Sequence, residues 1–185
     1  WARDRGICHA AKGHFSPYCW TLMAMYFLQV GDERVLPPLR SFKASSSLAG
    51  AEAGDASAPD APRQAAREAK TLGALFREFL TFYAAGFDAR AEAVSVRAGR
   101  RAAPSPRLPL HVVLREDGRG SDAAPSIEDP FDASRNLSCG LTAPGLARWR
   151  EELARGAALL GRGASLAELL EPWSPPEAAE DAAAA

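Results

Sequence analysis

SIEDPFDASRN, residues 126–136, sets an acidic pair (Glu128, Asp129) beside a proline and an aromatic ring (Pro130, Phe131), then adds a third acid, a serine, a cation and an amide (Asp132, Ser134, Arg135, Asn136). So many hydrogen-bonding groups suit a strand–turn–helix junction, where a domain can present polar groups to a ligand. They suit equally a capped turn, with Asp132 or Ser134 accepting from the free N–H groups that open a helix. The peptide alone supports both readings.

On the C-terminal side the pattern predicts a short helix after Asn136, then a long helix with Thr142 as cap and Pro144 in the first turn. Leu146, Trp149, Leu153 and Leu160 recur at helical spacing, with Arg148, Arg150, Glu151, Glu152 and Arg155 facing outward. A short amphipathic helix, SLAELLE, follows at 165–171. On the N-terminal side 117–125 reads as a polar loop, 110–114 as a strand, 99–109 as a basic loop, and AVSVR at 93–97 as a strand by its alternation.

Two apolar helices stand further out. One runs from about Tyr18 to Val30 behind an N-cap at Ser16, with Pro17 in its first turn. The other covers 72–85 behind Thr71, with apolar residues over nearly its whole circumference, and Gly86 ends it. The opening WARDR reads as a last helical turn stopped by Gly6. Residues 44–70 and 172–185 are rich in Ala, Ser, Gly, Pro and acids; they predict a disordered insertion and a disordered tail. The division is then 1–43, central helices; 44–70, insertion; 71–171, a second helical region with closing helices; and 172–185, tail. The fold class is α+β, mainly helical, with a small strand pairing.

The totals bound the function. A chain of 185 residues allows one domain with a tail, and a net charge of −1 with pI near 6.4 lacks a global basic signature for nucleic acid. Cys8, Cys19 and Cys139 have no metal-like spacing and cannot all pair, which points to a reduced, intracellular setting. His9 and His14 beside Cys8 lack a further ligand cluster, so no metal site is expected. No apolar run reaches membrane-spanning length. The chain opens on Trp1 without methionine, and a fragment of a longer protein is expected.

Three blocks in one order, 1–29, 71–97 and 126–141, resemble the central and PAP-associated region of the non-canonical poly(A) polymerases and terminal uridylyltransferases of the polymerase-β-like nucleotidyltransferase superfamily. The resemblance implies addition of UMP or AMP to RNA 3′ ends, in RNA tailing and turnover, with UTP or ATP bound in a cleft between this region and a catalytic domain. The cofactor would be Mg2+ or Mn2+, held by carboxylates of that N-terminal catalytic domain; no Gly-Ser turn with such a carboxylate pair precedes the SPY helix here. These 185 residues alone are therefore expected to be inactive. The expected partners are an RNA 3′ end, a nucleoside triphosphate and the chain's own catalytic domain. A monomer in the cytoplasm, with no membrane, is expected.

By the same resemblance Tyr18 matches a base-stacking tyrosine, Asp129 and Asp132 match two acids at the base edge, and Arg3 matches a triphosphate-contacting lysine. Ser16 matches the first of two serines; the second, a triphosphate contact, is Pro17 here and offers no hydroxyl. Arg135 stands where uridylyltransferases often carry histidine. Arginine only donates, so it suits the uracil O4 and repels the adenine amino group. That favours UTP, although Arg135 could instead pair with Asp132 or touch RNA. Arg97, Arg100, Arg101 and Arg107 form a candidate RNA contact, and a solvated basic loop is the alternative. A non-catalytic RNA-binding or scaffolding module of the same fold is the second functional reading, and Pro17 and Arg135 support it.

Overall fold

The computed structural model describes residues 1–41, 70–115 and 119–174. The expected insertion, all but Lys70, lies outside them, as does the tail from 175. Helix α1, Pro17–Val30, is the centre. Ser16 caps it through Oγ, which accepts from the Cys19 N–H, and Pro17 supplies a preset first turn. Leu22, Met23 and Tyr26 are buried on one side and Phe27 on the next. Each such side chain contributes about 1.5–3 kcal/mol by leaving water, against about 0–1 for an exposed ion pair. Packing of α1 therefore dominates the surface charges.

Helix α2, Leu72–Thr81, is capped by Thr71 and continues into a wider π turn, Phe82–Gly86. Phe79 and Tyr83 are buried against α1, the Tyr83 hydroxyl donating to the Met23 carbonyl at 2.8 Å, while the buried Leu80 faces Gly156. Apolar residues cover nearly the whole circumference of this helix, yet not all of them are buried. Leu72 is 83% exposed, and Leu75 and Phe76 are half-buried. They line an apolar groove of about 360 Å3 with Trp1, Trp20 and Phe27. Helix α3, Ala143–Gly161, closes the other side with Leu146, Trp149 and Leu153, and α4, Leu166–Leu170, is fixed by a Ser165–Glu168 capping box.

The strands are short. β1, Ala93–Val94, pairs in parallel with β4, Ser126–Ile127, in the register Ala93↔Ser126 and Val94↔Ile127. The strand expected over 93–97 stops early because its next carbonyl is taken elsewhere. Val96 O accepts from the Leu39 N–H and from Gln29 Nε2, which tethers the segment after α1 to this edge. The other pair is antiparallel: β2, Val112–Leu114, with β3, Ser121–Ala123. The polar stretch 117–125 was expected to be loop throughout. Part of it forms β3 because Asp122 is gripped by Arg115 at 2.9 Å and by Arg150 at 3.0 Å.

Those contacts, the hydrogen bond from Arg115 first, pull the Asp122 carboxyl down to about 2. A depressed folded value means the stabilisation is present above the ordinary aspartate range and is lost as pH falls through about 2. An NMR pH titration is expected to give a midpoint near 2 for Asp122; a midpoint near 4 would show the two grips are not made.

Three further local expectations change. No helix follows Asn136: Leu137 N–H turns back to the Ile127 carbonyl at 2.8 Å, and 137–140 is turn. Trp1–Arg5 is a run of turns rather than a helix end, although Gly6 does adopt the left-handed conformation (φ 71°) that ends it. Glu152, expected outward, is 1% exposed and accepts from Nε and Nη2 of the buried Arg5, at 2.7 and 2.8 Å. Among the described residues no helix is long and apolar enough to cross a membrane.

Candidate functional site

The β1–β4 pair delivers the chain into the loop 128–136. Glu128 N–H bonds to the Val94 carbonyl at 3.0 Å, and Glu128 bridges to Asn136 across the loop mouth. Asp129 N–H donates to the Arg135 carbonyl, and Asp129 Oδ1 accepts from the Phe131 N–H, each at 3.0 Å. Asp129 Oδ2 lies 3.5 Å from Arg135 Nη1. Asp132 Oδ1 accepts from the Ser134 hydroxyl at 2.6 Å and the Ser134 N–H at 3.0 Å. Those bonds, the hydroxyl's first, hold the Asp132 carboxyl below its usual range. The capped turn is thus real, but Asp132 caps the loop and no helix.

Asn136 is what fixes the loop. Its Oδ1 accepts from Ile127 N–H, Ser138 N–H and Ser138 Oγ, and its Nδ2 donates to the Pro109 carbonyl at 2.8 Å. No local pattern signals this role, because two of the partners lie 9 and 27 residues back. The Asp-x-Ser spacing at 132–134, by contrast, is a readable turn signature. The outcome is a rigid loop that sets a nearly buried carboxylate (Asp129), an exposed one (Asp132) and an exposed guanidinium (Arg135) side by side, with Phe131 89% exposed. Carboxylates accept from base N–H groups and the guanidinium donates to base carbonyls.

The first turn of α1 lies against the end of this loop. Cys19 Sγ reaches the Leu137 carbonyl at 3.5 Å and accepts from Ser16 Oγ at 3.2 Å. Tyr18, one residue before Cys19, is 43% exposed, in contrast to the buried Tyr26 and Tyr83. Arg3 is exposed on the turn that precedes Ile7, whose carbonyl accepts from Trp20 Nε1 at 3.1 Å. Burial pushes the Cys8 thiol up, and the charge of Arg3 opposes that shift, which places Arg3 within electrostatic reach of Cys8.

The basic residues divide. Arg101 is engaged by Glu92 and the Gly86 carbonyl and lies over the Phe82 ring at 5.4 Å. Arg97 reaches Glu128 Oε1 at 3.2 Å and, with Arg40, Ser95 and Ala98, lines an open polar cleft of about 320 Å3. Arg40 was not singled out by sequence; its N–H follows the Arg97 carbonyl, a pairing no local pattern carries. Arg100 is exposed, its carbonyl accepting from the Tyr26 hydroxyl, and Arg107 is exposed in the loop before β2.

Among the described residues no group of three or more His, Cys, Asp or Glu is placed to hold a metal. The Mg2+ or Mn2+ implied by the resemblance therefore finds no ligand set among them.

Residues 71–135 match the family profile PAP_assoc, described as Cid1 family poly A polymerase. The chain is 35% identical over 108 residues to the poly(A) RNA polymerase gld-2 of Caenorhabditis elegans, an overlap of 55% of this chain and 10% of that protein. It is 27% identical over 146 residues to terminal uridylyltransferase 7 of Homo sapiens, covering 74% of this chain and 9% of the relative. A solved structure of Cid1, an RNA terminal uridylyl transferase, superposes with a TM-score of 0.66 at 25% identity, over 96% of this chain and 55% of the other. The chain thus spans about half the length of the solved Cid1 chain and about a tenth of these two relatives. By profile, relatives and fold together, the chain carries at residues 71–135 the PAP-associated domain of the Cid1 family of poly A polymerases, within the Cid1-type nucleotidyltransferase fold.

Proposed function

We propose that this chain is the nucleotide-binding central part of a template-independent enzyme that adds nucleoside monophosphates to RNA 3′ ends. One observation carries the reading: Tyr18, exposed at a capped helix start, directly precedes Cys19, whose thiol reaches the Leu137 carbonyl at the end of the fixed loop of Asp129, Asp132 and Arg135. An open aromatic face binds any base by stacking, and donors and acceptors beside it choose among bases. Arg3 supplies a cation for the triphosphate. The metal and the chemistry belong to the separate catalytic domain. The test is incubation of the full-length protein with an RNA oligonucleotide, Mg2+ and each nucleoside triphosphate; 3′ extension is the expected result. No extension with any nucleotide, in a protein whose upstream residues lack a Gly-Ser turn and metal carboxylates, would leave the non-catalytic RNA-binding reading, which Pro17 favours by removing one phosphate contact.

UTP is the preferred nucleotide on this proposal. Arg135 is held beside Asp129 as a donor, matched to the uracil O4 and mismatched to the adenine amino group. Histidine at this place is the smaller donor and leaves Asp129 more open. Arg135→His is expected to raise the UTP-to-ATP ratio by about fivefold, the worth of about 1 kcal/mol. Equal ratios in the two proteins would place Arg135 away from the base.

A further inference from the structure

We infer that Trp173 is a positioning residue for the triphosphate: it clasps the turn that carries Arg3. The inference rests on the proposed phosphate contact of Arg3. The Arg3 side chain is exposed and makes no hydrogen bond or ion pair among the described residues, so its guanidinium is available to a ligand. Its usefulness depends on how firmly the turn is held. The turn's own bonds are few: Arg5 N–H to the Trp1 carbonyl, Gly6 N–H to the Arg3 carbonyl and Ile7 N–H to the Ala2 carbonyl.

The segment 171–173, which follows α4, supplies the rest from outside. Trp173 N–H donates to the Asp4 carbonyl at 2.9 Å, and the Glu171 carbonyl accepts from Arg5 Nη1. The Trp173 ring lies flush on Gly6, where a Cβ would stand 3.2 Å from the ring. The Arg148 guanidinium stacks on that ring at 4.4 Å and donates to Glu152 at 2.6 Å. Glu152 in turn holds Arg5, closing a ring of contacts around the turn. A cation fixed before its ligand arrives loses less conformational entropy on binding, and affinity rises accordingly.

The experiment measures binding of UTP and of uridine, which lacks the phosphates, to the full-length protein. Trp173→Ala is expected to weaken UTP about tenfold, the worth of a charged hydrogen bond, and to leave uridine unchanged. Trp173→Phe, which keeps a ring on Gly6 and Arg148, is expected to bind UTP nearly normally. In an Arg3→Ala background Trp173→Ala should add no further loss of UTP, because the two act through one contact. Equal weakening of UTP and uridine by Trp173→Ala would reduce Trp173 to general structural support and overturn the inference. Weakened UTP binding by Arg3→Ala with none by Trp173→Ala would remove the clasp alone. Normal UTP binding by Arg3→Ala would remove the phosphate contact beneath it.

Discussion

Glu152→Ala is expected to cost about 3–5 kcal/mol of unfolding free energy, because it strands a buried cation. Arg5 is 6% exposed and has its Nε and Nη2 on the two carboxylate oxygens. Arg148 shares the same carboxylate at 2.6 Å. Removing the acid leaves Arg5 desolvated, with the Glu171 carbonyl as its remaining side-chain hydrogen-bond partner among the described residues. Urea denaturation of the variant measures the loss; a change below about 1 kcal/mol, the range of exposed pairs, would mean that water reaches Arg5 in the folded state.

The pair also sets a pH dependence. Burial pushes the Glu152 carboxyl up, but hydrogen bonds from Arg5 and Arg148 together pull it below its ordinary value. A depressed folded value contributes stability above the ordinary glutamate range, and that stability is lost as pH falls through the lowered folded value. The wild-type protein is therefore expected to lose more stability on acidification than Glu152→Ala, and parallel pH–stability curves would count against the pair.

Tyr18→Ala is expected to weaken nucleotide binding by about 1–3 kcal/mol, the range for one lost stacking platform. Tyr18 is not a core residue: it is 43% exposed, and the cap of α1 depends on Ser16 instead. Stability should change little, so an affinity loss reads as lost contact with the base. Tyr18→Phe keeps the face and should bind nearly as wild type. Unchanged affinity in Tyr18→Ala, measured by titrating UTP into the full-length protein, would remove the base-binding assignment and with it the main support for the proposed function.

The helical frame was legible in the sequence because its signals are local. Ser16, Thr71 and Thr142 each stand at the helix start at which their spacing placed them, and the apolar rhythm of 146–153 faces the core; Ser165, read as the first helical residue, is the cap of α4. Errors fall where a partner is remote or where tertiary contacts compete. The strand at 93–97 was cut short by Gln29 and Leu39, β3 was made by Arg115 and Arg150 gripping Asp122, and the helix after Asn136 lost its residues to backbone bonds with Ile127. Leu72 looked like core, yet one face of α2 stays uncovered among the described residues.

The candidate site divides on the same line. The order of the blocks, the exposed tyrosine beside a capped helix start and the acids of the loop could be read from the chain. Whether those acids form a fixed array could not, since Asn136 anchors the loop through groups at Ile127 and Pro109. Arg5 and Glu152 show the limit most plainly. One looked like a helix-end cation and the other like a surface acid, and they meet across 147 residues as a buried pair. Side-chain type and spacing determine caps, periodicity and which groups a loop can offer; only the tertiary structure decides which charges leave water, because desolvation depends on every neighbour at once.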